Sequence, residues 1–90
     1  MTLLKSINET NSRHLAKYTM AVAVNMTGVA AHRIRKFENS GLCKPARTPS
    51  NQRLYSDEDI ELIRQIGSLD RDGVNIPGIR VILNMQKADI

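Results

Sequence analysis

Arg33, Arg35 and Lys36 crowd together, and Arg47 and Arg53 flank a stretch rich in Pro, Ser and Asn. Cations repeated at such short intervals suit the neutralisation of a polyanion, by phosphate contacts that release counterions. Arg adds a two-pronged donor that matches the edge of guanine. The other reactive groups point to no catalysis. Asp57, Glu58, Asp59 and Glu61 follow Ser56 directly, where carboxylates serve a helix N-terminus, and this accounts for them without a metal or an acid–base pair. His14 and His32 have no motif around them. Cys43 is a lone thiol; it cannot build a tetrahedral thiolate site and is expected as a small buried apolar group. With no nucleophile–base pair and no Gly-rich phosphate loop, the chain is expected to be no enzyme and to carry no cofactor or metal. Met20, Met26 and Met85 are expected as packing.

The charge is unevenly placed. Of the 90 residues, the first 55 hold nine Lys/Arg against Glu9 and Glu38, a surplus of +7. The remaining 35 hold four against seven acids, a balance of −3, and the whole sums to +4. One end is thus suited to a polyanion and the other to a different task. The chain has room for one small domain. Its core must be built from Ile, Leu, Val and Met, because two Tyr and one Phe are the only aromatics. The stretch from Tyr18 to Ala31 lacks charges but is only 14 residues long, short of the roughly 20 a membrane span needs. Polar Ser6, Asn8, Glu9 and Thr10 occupy the place of a secretory apolar run. A single cysteine fits a reducing compartment, and the expected location is the cytoplasm, in association with the nucleoid.

These cations need elements to hold them. Residues 1–17 lack a long apolar period and are expected as a flexible N-terminal arm, with Leu3, Leu4 and Ile7 at most one amphipathic turn. The folded domain is expected over residues 18–88. Thr19 is a good N-cap for a short helix carrying Met20, Ala23, Val24 and Met26, which Thr27-Gly28 stops. A second helix is predicted from about Ala30 to Ser40, ended by Gly41. At 100° per residue it sets Ala30, Ile34 and Phe37 on one face and His32, Arg35, Lys36 and Asn39 on the other, with Arg33 at the border. Two short helices around a Gly turn form a helix-turn-helix pattern. Leu42-Cys43 and Leu54-Tyr55 are predicted to pair as a minimal ribbon enclosing a basic loop, a wing. Ser56 with Asp59 opens a third helix along Ile60, Ile63, Ile66 and Leu69, ended by Gly73. Asn75 opens a fourth, with Ile76, Ile79, Ile82 and Leu83 inward.

Four stretches carry a family resemblance. They are residues 22–29 (Val22-Ala23-Val24-Asn25-Met26-Thr27-Gly28-Val29), Arg35-Lys36-Phe37-Glu38 with Gly41-Leu42, Pro45-Ala46-Arg47-Thr48 with Arg53-Leu54-Tyr55-Ser56, and Asp59-Ile60-Glu61-Leu62-Ile63. In order and spacing they resemble the DNA-binding domain of the MerR family of bacterial transcription regulators, over about three quarters of the chain. Within the family the HspR- and GlnR-type members look most similar, on Gly73-Val74-Asn75-Ile76-Pro77-Gly78-Ile79 and on residues 59–65.

The resemblance implies a mainly α, winged helix-turn-helix fold with a small two-stranded wing, a homodimer, and an inverted-repeat operator in double-stranded DNA. It implies a major-groove reading helix at residues 32–36 and a backbone clamp at residues 47–55. The expected DNA-contacting set is Thr19, His32, Arg33, Arg35, Lys36, Arg47, Asn51, Gln52, Arg53 and Tyr55, with Asn51 and Gln52 chiefly satisfying the turn. Departures from the family pattern are Ala30-Ala31 where a capping Ser or His is usual, Lys36 where an aromatic is common, and Asn51-Gln52 at the wing tip. Members normally continue into a long dimerisation helix and an effector domain. This chain ends before either, which is expected of a shortened piece, a minimal member, or a protein that dimerises by another surface such as residues 3–7. Repression by promoter occupancy is favoured over activation. Rival readings are an excisionase-like or head-to-tail, BldC-like architectural DNA-binding protein, and a winged-helix protein-interaction module with a protein co-regulator as partner.

Overall fold

The computed structural model describes residues 13–88. Leu3, Leu4 and Ile7, and most of the arm expected over 1–17, lie outside that range.

Helix α1 (Met20–Thr27) starts at Thr19, whose hydroxyl accepts from the Val22 N–H, and ends at Gly28 with φ 72°. A residue with a Cβ is strained in that left-handed region, so Gly suits the tight turn. The turn is stapled by Thr27, whose hydroxyl donates to the Ala23 carbonyl and accepts from the Val29 N–H. Helix α2 (Ala31–Asn39) follows and closes through Ser40 and Gly41. Two of the three residues expected on the inner face are buried, Ile34 and Phe37, and His32, Arg35, Lys36 and Asn39 are exposed as expected; Ala30, expected inward, is exposed, because it is the extended N-cap residue and lies outside the helical period. Burial of side chains of this size contributes about 1.5–3 kcal/mol each, which fixes which way α2 turns its polar side.

Strands β1 (Ala46–Arg47) and β2 (Arg53–Leu54) form an antiparallel ribbon, with Ala46 opposite Leu54 and Arg47 opposite Arg53. This corrects the expected pairing of Leu42-Cys43. Both of those residues are buried in the core, and the Leu42 N–H closes the end of α2 on the Phe37 carbonyl. Pro45 has no N–H for a ladder, so pairing begins after it. Tyr55 pairs instead with Tyr18, which precedes α1: each N–H donates to the other's carbonyl, at 2.9 and 2.8 Å.

Helix α3 (Asp57–Arg71) opens with the expected capping box, Ser56 Oγ accepting from the Asp59 N–H while the Asp59 carboxylate accepts from the Ser56 N–H. It is the hub of the domain, packing against α1, α2 and helix α4 (Ile76–Ala88). Ile60, Ile63 and Ile66 point into a core completed by Ala23, Val29, Ile34, Phe37, Tyr55 and Ile79. Gly67 lets α3 approach the helix-turn-helix turn closely, since a Cβ there would stand 2.6 Å from a Val29 methyl. Asn75 Oδ1 accepts from the Gly78 N–H at the start of α4. No helix of the described residues is long and apolar enough to cross a membrane.

Candidate nucleic-acid interface

The outer face of α2 presents His32, Arg35 and Lys36 to solvent. Among the described residues these side chains make no hydrogen bond or ion pair, so their donors are available. The same holds for Lys44, between α2 and the ribbon, which the expected contact set omits. Ala30 stands at the start of α2 without a side-chain cap, as its type requires. At the other end the Ser40 hydroxyl donates to the Lys36 carbonyl and the Arg80 guanidinium to the Ser40 carbonyl, covering the negative end of the helix.

The ribbon is fixed beside α2 by one carboxylate. Glu38, with a side chain only 7% exposed, accepts from Arg53 Nε at 2.6 Å and from the Tyr55 hydroxyl at 2.6 Å. An acid near a helix C-terminus is unfavourable by itself, and these two donors offset that. Tyr55 is fully buried, and burial, followed by the Glu38 hydrogen bond, pushes its phenol well above the ordinary tyrosine range. This removes Tyr55 from the expected contact set: an enclosed side chain cannot meet DNA, and its role is to hold Glu38. The Arg53 side chain is 25% exposed and its Nε is engaged by Glu38, so it supports the ribbon first.

Arg33 is also engaged. Its Nε and Nη2 both donate to one oxygen of Asp70 on α3. The remaining expected residues divide between the turn and solvent. Arg47 is exposed on β1, and its Nη1 donates to the Asn51 carbonyl at 3.1 Å, closing the wing tip. Asn51 has φ 70° and Gln52 gives its N–H to Thr48 Oγ1, so the backbones of both serve the turn while their side chains are exposed. Thr19 is half-buried and spends its hydroxyl on the cap of α1. The structure thus brings free cations of α2 beside the ribbon, and ties two others, Arg33 and Arg53, to carboxylates.

Glu38 and Asp70 were not legible as partners. The available signal for Glu38 is its isolation as one of two acids in the basic first 55 residues. Arg64 is another omission: it donates through Nε and Nη2 to the Met26 carbonyl, anchoring the end of α1 on α3 beside the turn. Cys43 is buried as expected, and burial, reinforced by Glu38, pushes its thiol up to about 12. Among the described residues no group of three His, Cys, Asp or Glu side chains is placed to hold a metal ion.

Residues 18–86 match the family model described as MerR HTH family regulatory protein. The chain is 37% identical over 70 residues to a Streptomyces coelicolor protein named as heat shock protein HspR, covering 77% of this chain and 46% of that one. It is 31% identical over 70 residues to the HTH-type transcriptional regulator GlnR of Bacillus anthracis, covering 78% of this chain and 54% of that one. The chain therefore spans about half the length of these curated relatives. Its fold is similar to that of HiNmlR, a MerR family regulator lacking the sensor domain and solved bound to promoter DNA, with TM-score 0.71 and 22% identity over 79% of this chain and 55% of that one. With the family model matched over residues 18–86, the chain belongs to the MerR family of helix-turn-helix regulatory proteins.

Proposed function

We propose that this domain reads double-stranded DNA at promoters by laying the outer face of α2 in the major groove, with the ribbon on the flanking backbone. The observation that carries the reading is the unpaired set His32, Arg35 and Lys36 on one solvent face of a helix whose opposite face is locked into the core. Lys36, Lys44 and Arg47 supply phosphate contacts, which set affinity, and Arg35 supplies the base-edge contact, which sets specificity. Arg53 adds a contact from the ribbon, and Asn51 and Gln52 the wing tip. The protein acts as a repressor by occupying its site, in the cytoplasm, as a homodimer on an inverted repeat, with or without a protein co-regulator. It performs no catalysis.

Binding-site selection from random duplex DNA tests this reading. The expected product is an enriched inverted repeat with half-sites on one face of the duplex. No enrichment, together with binding that is insensitive to salt, refutes the DNA reading. A footprint that lengthens in regular steps with protein concentration replaces the dimeric repressor with a head-to-tail architectural protein.

A further inference from the structure

The engaged state of Arg33 separates it from its neighbours on α2. It lies one turn before Lys36, on the border of the exposed face, where long side chains three residues apart are neighbours. Its side chain is 34% exposed, so a third of it faces solvent on the side of Lys36, where a released guanidinium would add to the cationic face. Yet Asp70, itself only 18% exposed, takes both Nε and Nη2 on a single oxygen. A cation already neutralised inside the protein releases no DNA counterion unless the internal pair first opens. Asp70 lies on α3, the element that also orients α2, so the carboxylate is delivered by the scaffold rather than by a loose side of the reading helix.

We propose that Asp70 is a specificity-determining residue that acts through Arg33, as an internal counter-ion withholding one cation from sequence-independent phosphate contact. This rests on the DNA reading above and adds to it. Base-edge contacts from Arg35 are untouched by the pair, whereas the electrostatic part of the affinity, common to every sequence, is lowered by one contact. The domain therefore discriminates better between its site and bulk DNA than the charge of its surface alone implies.

The test measures binding of the whole chain to a labelled random-sequence duplex between 50 and 200 mM KCl. It compares the wild type with Asp70→Asn, Arg33→Ala, the double variant and Asp72→Asn. Asp70→Asn is expected to bind more tightly and to steepen the salt dependence by roughly 0.9 in log–log slope, the value for one added phosphate contact. Its advantage over the wild type then shrinks by about 3.5-fold between the two salt concentrations, from that slope. Arg33→Ala alone should leave the slope as it is, and the double variant should return to the wild-type slope. Asp72→Asn makes the same charge change two residues away on an exposed side chain and should have the smaller effect. Thermal melts identify any variant that fails to fold. An unchanged slope in folded Asp70→Asn makes the pair a structural tie only and overturns the proposal. So does an equal effect from Asp72→Asn, or a loss of slope in Arg33→Ala. If the wild type itself shows no salt-dependent binding, the DNA reading falls, and this inference falls with it.

Discussion

Replacing Glu38 by Gln keeps the side-chain shape but removes the charge that joins α2 to the ribbon. Two charge-assisted hydrogen bonds are affected, from Arg53 Nε and the Tyr55 hydroxyl, both at 2.6 Å. Bonds to charged groups contribute about 1.5–3 kcal/mol each, and removing one partner of a buried pair costs about 3–5 kcal/mol. Water can rehydrate part of Arg53, because its side chain is 25% exposed, but it cannot reach the Tyr55 hydroxyl. One amide oxygen can also still accept one of the two bonds. The net loss is then about 3 kcal/mol, against a stability of roughly 5–13 kcal/mol for a domain this size. At about 4–8 °C per kcal/mol, the melting temperature should fall by roughly 12–24 °C, followed by circular dichroism at pH 7. Tyr55→Phe alone should lose about 1.5 kcal/mol. The double variant should lose less than the sum of the two single ones, since both act through the same bond. A Glu38→Gln variant within 0.5 kcal/mol of the wild type, or strict additivity with Tyr55→Phe, refutes the assignment of Glu38 as the joint between helix and wing.

Arg35→Ala should cost about 1–3 kcal/mol on a selected site and clearly less on random duplex, read by fluorescence anisotropy; an equal loss on both makes Arg35 a backbone contact. Gly67→Ala should lower stability by about 1–3 kcal/mol through overlap with Val29, despite the better helix propensity of Ala. Val29→Ala should recover part of that loss, and a stabilised Gly67→Ala contradicts the close approach. The buried thiol and phenol set the alkaline limit. Cys43 is held neutral up to about 12 in the fold but ionises near its ordinary value in the unfolded chain. Tyr55 is likewise raised. Their stabilisation is complete below about pH 8.5 and declines as pH rises, from Cys43 first and from Tyr55 above about pH 10. Urea midpoints should fall across pH 9–11, and Cys43→Ala should flatten the earlier part of that decline. Alkylation of native Cys43 at pH 8 should be no faster than global unfolding, and rapid modification would show the thiol to be accessible.

The helices were legible because their signals are local. Thr19, Gly28, Gly41, Ser56 with Asp59 and Asn75 act within a few residues of the backbone they start or stop, and the 3.6-residue period shows which way α2 faces. What the sequence hid were partners across the fold. Leu42-Cys43 has a strand-like composition, yet the core claimed both side chains and the ribbon formed three residues later, at Ala46. Arg33 and Arg53 look on paper like Arg35, and only the arrival of Asp70 from α3 and of Glu38 from beneath the ribbon tells them apart. Tyr55 belongs to a stretch that implies a DNA contact, while packing assigns it to the interior.

The reciprocal main-chain link between Tyr18 and Tyr55 has a mechanical consequence. A pull on the chain upstream of Arg13 meets this link before it reaches α1, so tension on that side loads the foot of the wing. The length of any tether joined there is reckoned from the foot of the ribbon, and a stiff, short one would lever the ribbon away from α2.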